Sequence, residues 1–120
     1  MTEARLSLGR MGEEAAAQYL QRLGMKILQR NVNTPLGEID LIARQQRILV
    51  FVEVKTRRSS AFGSPAEAVG PRKQRQIIRA AKWYLNDNPG KGLQPRFDVV
   101  SILVKGNDLE IEHIPGAFED

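Results

Sequence analysis

Gly37-Glu38-Ile39-Asp40-Leu41-Ile42-Ala43 and Leu49-Val50-Phe51-Val52-Glu53-Val54-Lys55 are two apolar runs that carry acids where a core strand is normally oily. In the second run Val50, Val52 and Val54 share one face while Leu49, Phe51, Glu53 and Lys55 share the other. It therefore reads as a strand buried on both sides until its last residues. Removing an ionised group from water costs roughly several kcal/mol after relaxation, so charges in such a strand are paired, hydrogen-bonded or engaged with a metal. Only Gln45, Gln46 and Arg47 separate the two strands, over residues 38–44 and 48–55, which predicts an antiparallel hairpin.

Residues two apart on a strand point the same way, which puts Glu38 with Asp40 and Glu53 with Lys55. Register decides whether the two pairs meet. If partner numbers across the hairpin sum to an odd value, Asp40 lies opposite or diagonal to Glu53, within roughly 5–8 Å. An even sum separates them. Both strands are apolar on both faces, so the pattern does not choose; the odd sum is the expectation adopted.

Outward from the hairpin, Leu8, Met11, Ala15, Ala16, Tyr19, Leu20 and Leu23 recur at helical spacing over residues 6–23, with Gly24 placed for a left-handed C-terminal cap. Residues 25–30 read as a short strand, followed by a polar turn through Asn31, Asn33, Thr34 and Pro35. After the hairpin comes a loop of small and basic residues over 56–65. Pro71 then opens a second helix to about residue 86, with Ile77, Ile78, Ala81, Tyr84 and Leu85 as its apolar stripe; Asn88, Pro89, Gly90 and Gly92 end it. Strands over 96–104 and 109–114, joined by Gly106-Asn107, complete the chain. This order predicts one α/β domain over residues 1–120, a mixed sheet with a helix on either side.

Composition narrows the chemistry. The chain has 120 residues, no cysteine and a single histidine, His113, which excludes disulfide frameworks, thiol catalysis and histidine-built metal centres. Any metal must be held by oxygen. The first residues run into a charged amphipathic stretch with no apolar leader core, and no segment is apolar enough to span a membrane, so the expected location is cytoplasmic. Eighteen Lys and Arg against fourteen Asp and Glu give a net charge of +4, which favours polyanionic partners.

Two converging carboxylates repel each other. A hard cation such as Mg²⁺ or Mn²⁺ relieves that repulsion and leaves coordination positions for water and a phosphate oxygen. Lys55, one strand repeat beyond Glu53, would orient or help deprotonate the attacking water and offset charge on the transition state. The residues thus describe metal-assisted phosphodiester hydrolysis, with a buried salt-bridge network as the bland alternative.

Asp40, a gap of twelve residues and Glu53-Val54-Lys55 resemble the PD-(D/E)xK signature of restriction-endonuclease-like nucleases. Gly12-Glu13-Glu14, the Gly37 to Ala43 run, Phe51-Val52-Glu53-Val54-Lys55-Thr56-Arg57 and Arg96-Phe97-Asp98-Val99-Val100 together resemble the small bacterial YraN-type, or UPF0102, proteins across nearly the whole chain. That family is similar in core layout to archaeal Holliday junction resolvases. The resemblance implies an αβββαβ core, a divalent-metal site and a DNA substrate. Residue by residue, it implies Asp40 and Glu53 as metal ligands with the Val54 carbonyl completing the sphere, Lys55 as the catalytic lysine and Glu13 as an accessory acid. Ile39 departs from the motif by standing where its proline belongs.

On the second helix Arg72, Arg75, Arg79, Lys82 and Asn86 recur at three- and four-residue spacing with no acid between Gly70 and Asn86, unlike the mixed signs of an ordinary solvated face. With Arg57, Arg58 and Lys73 this face is expected to grip phosphates. Trp83 and Tyr84 read as core or contact residues, Glu38 as an ion-paired acid, and Asp98 and His113 receive no role. The leading expectation is a metal-dependent DNA endonuclease, selective for structures such as junctions or flaps. Resolving a four-way junction takes two sites, hence a homodimer, although no stretch reads as its interface. The alternative is a non-catalytic nucleic-acid-binding module whose site is vestigial or completed by a partner.

Overall fold

A computed structural model of the chain describes residues 3–58, 69–87 and 92–120. Helix α1 (Glu3–Arg22) is followed by β1 (Lys26–Thr34), β2 (Gly37–Gln45), β3 (Ile48–Arg57), α2 (Pro71–Asp87), β4 (Gln94–Lys105) and β5 (Asp108–Phe118). The strands lie in one sheet in sequence order, antiparallel throughout except where β3 meets β4 in parallel. A parallel pair needs a long crossover, and α2 lies within it. The mixed sheet and its two helices have the α/β architecture expected from the sequence and are compatible with a restriction-endonuclease-like core, here with β5 added at one edge.

Each helix covers one face of the sheet. Ala16, Ala17 and Leu20 of α1 pack on Leu41, Ala43, Val50, Val52, Val54, Val100 and Ile102. Ile77, Ala80, Ala81 and Tyr84 of α2 pack on Ile39, Ile42, Leu49, Phe51, Phe97 and Val99. Strand β3 thus feeds both layers, which accounts for its unbroken apolar run. A Schellman motif ends α1: Met25 N–H donates to Leu20 O at 3.1 Å and Gly24 N–H to Gln21 O at 2.9 Å, with Gly24 at φ 92°. Among the described residues no helix is long and apolar enough to cross a membrane.

Two sequence boundaries need correction. The strand expected over residues 25–30 continues to Thr34, and the expected polar turn shrinks to its Pro35 and Leu36 corner. Asn31 stays within the strand by taking a left-handed φ of 51°, which asparagine tolerates better than most residues. The last strand runs past residue 114 to Phe118 by absorbing a register shift, with Gly116 at φ 58°. Residues 59–65 of the expected loop and residues 88–90 lie outside the described residues.

Candidate functional site

Register brings the two acidic strands together. Leu41 pairs with Val52, Ile42 with Phe51 and Ala43 with Val50, an odd sum whose next step sets Asp40 opposite Glu53. Backbone pairing stops there. Instead, Val54 N–H donates to Asp40 Oδ2 at 2.8 Å, so a carboxylate stands where a ladder carbonyl would. On its other side β2 is also irregular: the β1 ladder runs from Arg30 and Leu41 to Val32 and Ile39, passing over Asn31 and Asp40. Ile39, which strict alternation would place with Leu41, belongs to the core layer under α2. Asp40 therefore occupies a break in the sheet. The amide and carbonyl of one strand residue address the same neighbour, so the Val54 carbonyl is also directed toward the Asp40 side.

The surroundings are acidic and poorly hydrated. Glu53 is buried, with a relative exposure of 6%. Burial, reinforced by repulsion from Asp40, pushes its carboxyl up to about 7 against the pull of Lys73 and Lys55. Burial likewise raises the Asp40 carboxyl, with repulsion from Glu38 adding and the Val54 hydrogen bond, Lys73 and Lys55 opposing. Lys55 Nζ lies 3.7 Å from Glu53 Oε1, a long contact from a side chain that is still 35% exposed. At that distance the lysine tempers the carboxylates without neutralising either one.

Two helices reach this pole of the sheet. Glu13 of α1 is half-buried, and its carboxyl is raised by burial and by repulsion from Asp40 and Glu38, against a hydrogen bond with Asn31. Its neighbour Glu14 is exposed and paired with Arg30 and Gln18, outside the cluster. Gly12 explains how α1 comes so close. A Cβ at this buried position would stand 1.8 Å from Thr56 Oγ1 and 2.8 Å from Thr56 Cβ, so any other residue lifts the helix from β3. Across the sheet, Lys73 in the first turn of α2 is half-buried and draws both Asp40 and Glu53 downward. Sequence spacing placed Lys73 among the phosphate grips; its position toward the acids follows from the α2 crossover.

The structure thus gathers Glu13, Glu38, Asp40, Glu53, Lys55 and Lys73 around one end of β2 and β3. Arg57 ends β3 beyond the cluster and is half-buried, and Arg58 follows it, exposed. Arg72, Arg75 and Arg79 are exposed along α2. Glu38 is exposed and acts on the cluster through its charge, raising Asp40, Glu53 and Glu13. Among the described residues no three acidic or histidine side chains form a metal-binding group, and the oxygens that would be offered to a cation here are those of Asp40, Glu53 and the Val54 carbonyl. That donor set is all oxygen and suits Mg²⁺ or Mn²⁺, which retain several water ligands.

Asp98 is the acid whose part the sequence did not reveal. It is fully buried at a second break in the sheet, between the pairs Phe97 with Phe118 and Val99 with Ile114. Arg96 donates from Nε and Nη2 to its two oxygens at 2.8 Å each, His113 Nε2 donates at 2.7 Å and Gly116 N–H at 3.0 Å. Burial alone would raise this carboxyl, but the hydrogen bonds from His113, Arg96 and Gly116 outweigh it and hold the group below the ordinary carboxylate range. Its work is to bind β4 to β5.

A family model described as "Uncharacterised protein family UPF0102" matches residues 12–102, a span that contains every acid and lysine of the cluster. The chain belongs to the UPF0102 family. It is 60% identical over 119 residues to a UPF0102 protein of Syntrophotalea carbinolica, covering 99% of this chain and 97% of that one. A UPF0102 protein of Desulfosudis oleivorans is 47% identical over 119 residues, covering 99% and 95%, and one of Syntrophomonas wolfei is 53% identical over 111 residues, covering 92% and 96%. The UPF0102 match begins at Gly12, the residue whose missing side chain seats α1 on Thr56.

Proposed function

We propose that this protein is a divalent-metal-dependent DNA endonuclease that hydrolyses phosphodiester bonds. The observation that carries this reading is the juxtaposition of Asp40 and Glu53, two desolvated carboxylates that are both raised, Glu53 in part by Asp40, and that receive few donors. An arrangement that costs stability at neutral pH is retained where a cation and a substrate compensate it. Asp40, Glu53 and the Val54 carbonyl would hold Mg²⁺ or Mn²⁺. When bound, such an ion polarises a phosphodiester oxygen and acidifies a water.

The chain's own groups do the rest. Glu13, raised by its surroundings, accepts a proton from the attacking water. The Lys55 ammonium orients that water and offsets charge gathering on the phosphoryl oxygens, and Lys73 lends a second positive charge from the opposite side. Arg57, Arg58, Arg72, Arg75 and Arg79 anchor flanking phosphates, a sequence-independent grip that weakens steeply with salt.

Labelled linear duplex, single-stranded, flap and four-way-junction DNA incubated with Mg²⁺ or Mn²⁺ tests the proposal, with Asp40→Ala purified in parallel. Cutting by the wild type and loss in the variant, with DNA binding retained, is the expected result. Equal cutting by both overturns it. Binding without cutting by either favours a nucleic-acid-binding module completed by a partner.

A further inference from the structure

The turn joining β1 to β2 is built unlike an ordinary hairpin tip. Such tips favour Asn, Asp and Gly. This one carries Pro35 and Leu36, both exposed, with Leu36 at 45%. A single exposed leucine is unremarkable on a protein surface. Met11, Leu23, Leu28 and Leu109 are the other large exposed apolar side chains among the described residues, but none of them crowns a hairpin tip.

The tip is stiff. Thr34 Oγ1 donates to Gly37 O at 2.6 Å and accepts from Leu36 N–H at 3.1 Å, which closes the corner on itself. Gly37, at φ 145°, lies so close to α2 that an added Cβ would stand 2.9 Å from Gln76 Cγ. Leu36 is therefore held by a braced turn. On the helix surface the neighbours of Gln76 three and four residues away include Arg72, Lys73 and Arg79. Lys73 acts on the acids, while Arg72 and Arg79 are exposed on either side of the residue that braces the turn. The other end of the turn leads through Glu38 to Asp40. Four residues of extended chain span at most about 13 Å, or about four base-pair steps at 3.4 Å each.

We propose that Leu36, backed by Pro35, is a wedge that enters the base stack of DNA whose phosphates rest on Arg72 and Arg79, and so selects substrates with a weakened stack: branch points, flaps and bulges. Apolar side chains inserted between base steps unstack them at a cost of a few kcal/mol per step, which is least where pairing is already interrupted. A rigid apolar tip, flanked by cations and within a few base steps of the acids, places that cost where cutting would be decided. The inference rests on the nuclease reading for its consequence in cleavage, but the wedge itself is a binding property.

The experiment places 2-aminopurine at the branch point of a four-way junction, at the base of a flap and within a continuous duplex, all in Ca²⁺ to suppress turnover. The wild type is expected to raise fluorescence about severalfold at the branched positions and little in the continuous duplex. Leu36→Ala should lose most of the rise and Leu36→Met should keep it. Leu109→Ala, an exposed leucine at the β4–β5 hairpin, should match the wild type. No rise with the wild type, or an equal rise with Leu36→Ala, overturns the wedge. Cleavage in Mn²⁺ is read separately, and Leu36→Ala should narrow the preference for branched DNA over continuous duplex. A fluorescence rise without cutting leaves the wedge standing and removes the nuclease reading; cutting without a rise does the reverse.

Discussion

Two aspartates of this sheet lie at breaks in its ladder, and they fare oppositely. Asp98 receives Arg96 on both oxygens, His113 on one and the Gly116 amide on the other. Asp40, at the break between β1, β2 and β3, receives the Val54 amide and faces Glu53, Glu38 and Glu13. The first carboxyl is held below its ordinary range and the second is raised above it. Burial opposes charge at both sites, and the supply of donors decides the sign. A buried acid with all its donors strengthens a fold, whereas one left short among other acids costs stability, and the proposed cation would relieve that cost.

The largest effect should come from the satisfied site. Asp98→Ala strands a half-buried guanidinium and leaves the buried His113 ring and the Gly116 amide without their acceptor, so a loss of about 3 kcal/mol is expected in urea unfolding. A loss under about 1 kcal/mol would erase the contrast. Gly12→Ala should cost about 1–3 kcal/mol by forcing α1 against Thr56. Because Thr56 supplies all three atoms in the clash, Thr56→Gly should restore stability to the Gly12→Ala protein while costing something of its own. Failure of that rescue would move the effect away from the contact that seats Glu13.

At the acidic site the sign reverses. The raised carboxyls of Asp40 and Glu53 bind protons more tightly folded than unfolded. Their contribution to stability is fully present below the unfolded values near 4 and is lost as pH rises through the folded ones, about 7 for Glu53. Thermal unfolding should therefore show a melting temperature that declines between about pH 5 and pH 8. Glu53→Gln should flatten that decline and raise stability at pH 8 by on the order of 1 kcal/mol. Mn²⁺ at ten times its dissociation constant should restore about 1.4 kcal/mol to the wild type and much less to Glu53→Gln. Asp98 works in the other direction, since its lowered carboxyl contributes stability above the unfolded value that is lost as pH falls through the folded one. Smallest in stability are Arg72→Ala and Arg79→Ala, expected within about 0.5 kcal/mol of the wild type, yet each should lower the salt slope of DNA binding by about 1.

Much of this arrangement was legible in the chain. The strict alternation of Val50, Val52 and Val54 against Leu49, Phe51 and Glu53 specified a strand buried on both faces, and both helices emerged from their 3.6-residue periodicity. Gly24 marked the end of α1, because a left-handed cap favours glycine. The motif spacing singled out Asp40, Glu53 and Lys55. These features depend on local sterics and on which side chains leave water, and the order of residues encodes both.

Other features belong to the tertiary structure alone. The hairpin register could not be read, since apolar residues on both faces of β2 and β3 make odd and even pairings equally greasy. Packing under two different helices selected the odd one. Asn31 read as a turn residue and became a left-handed kink within β1, because its neighbours gained more by pairing with β2 than by turning away. Asp98 and His113 looked idle because His113 and Gly116 of β5 meet Asp98 of β4 only across a register shift between the two strands, which leaves Arg96 as its one donor from nearby in the chain. Lys73 and Glu13 reach the acids from opposite sides of the sheet, and the close approach at Gly12 helps fix that distance. Sequence alone determined which residues carry charge into the core; the folded sheet decided which of those charges find partners, because donors arrive from strands and helices distant in the chain.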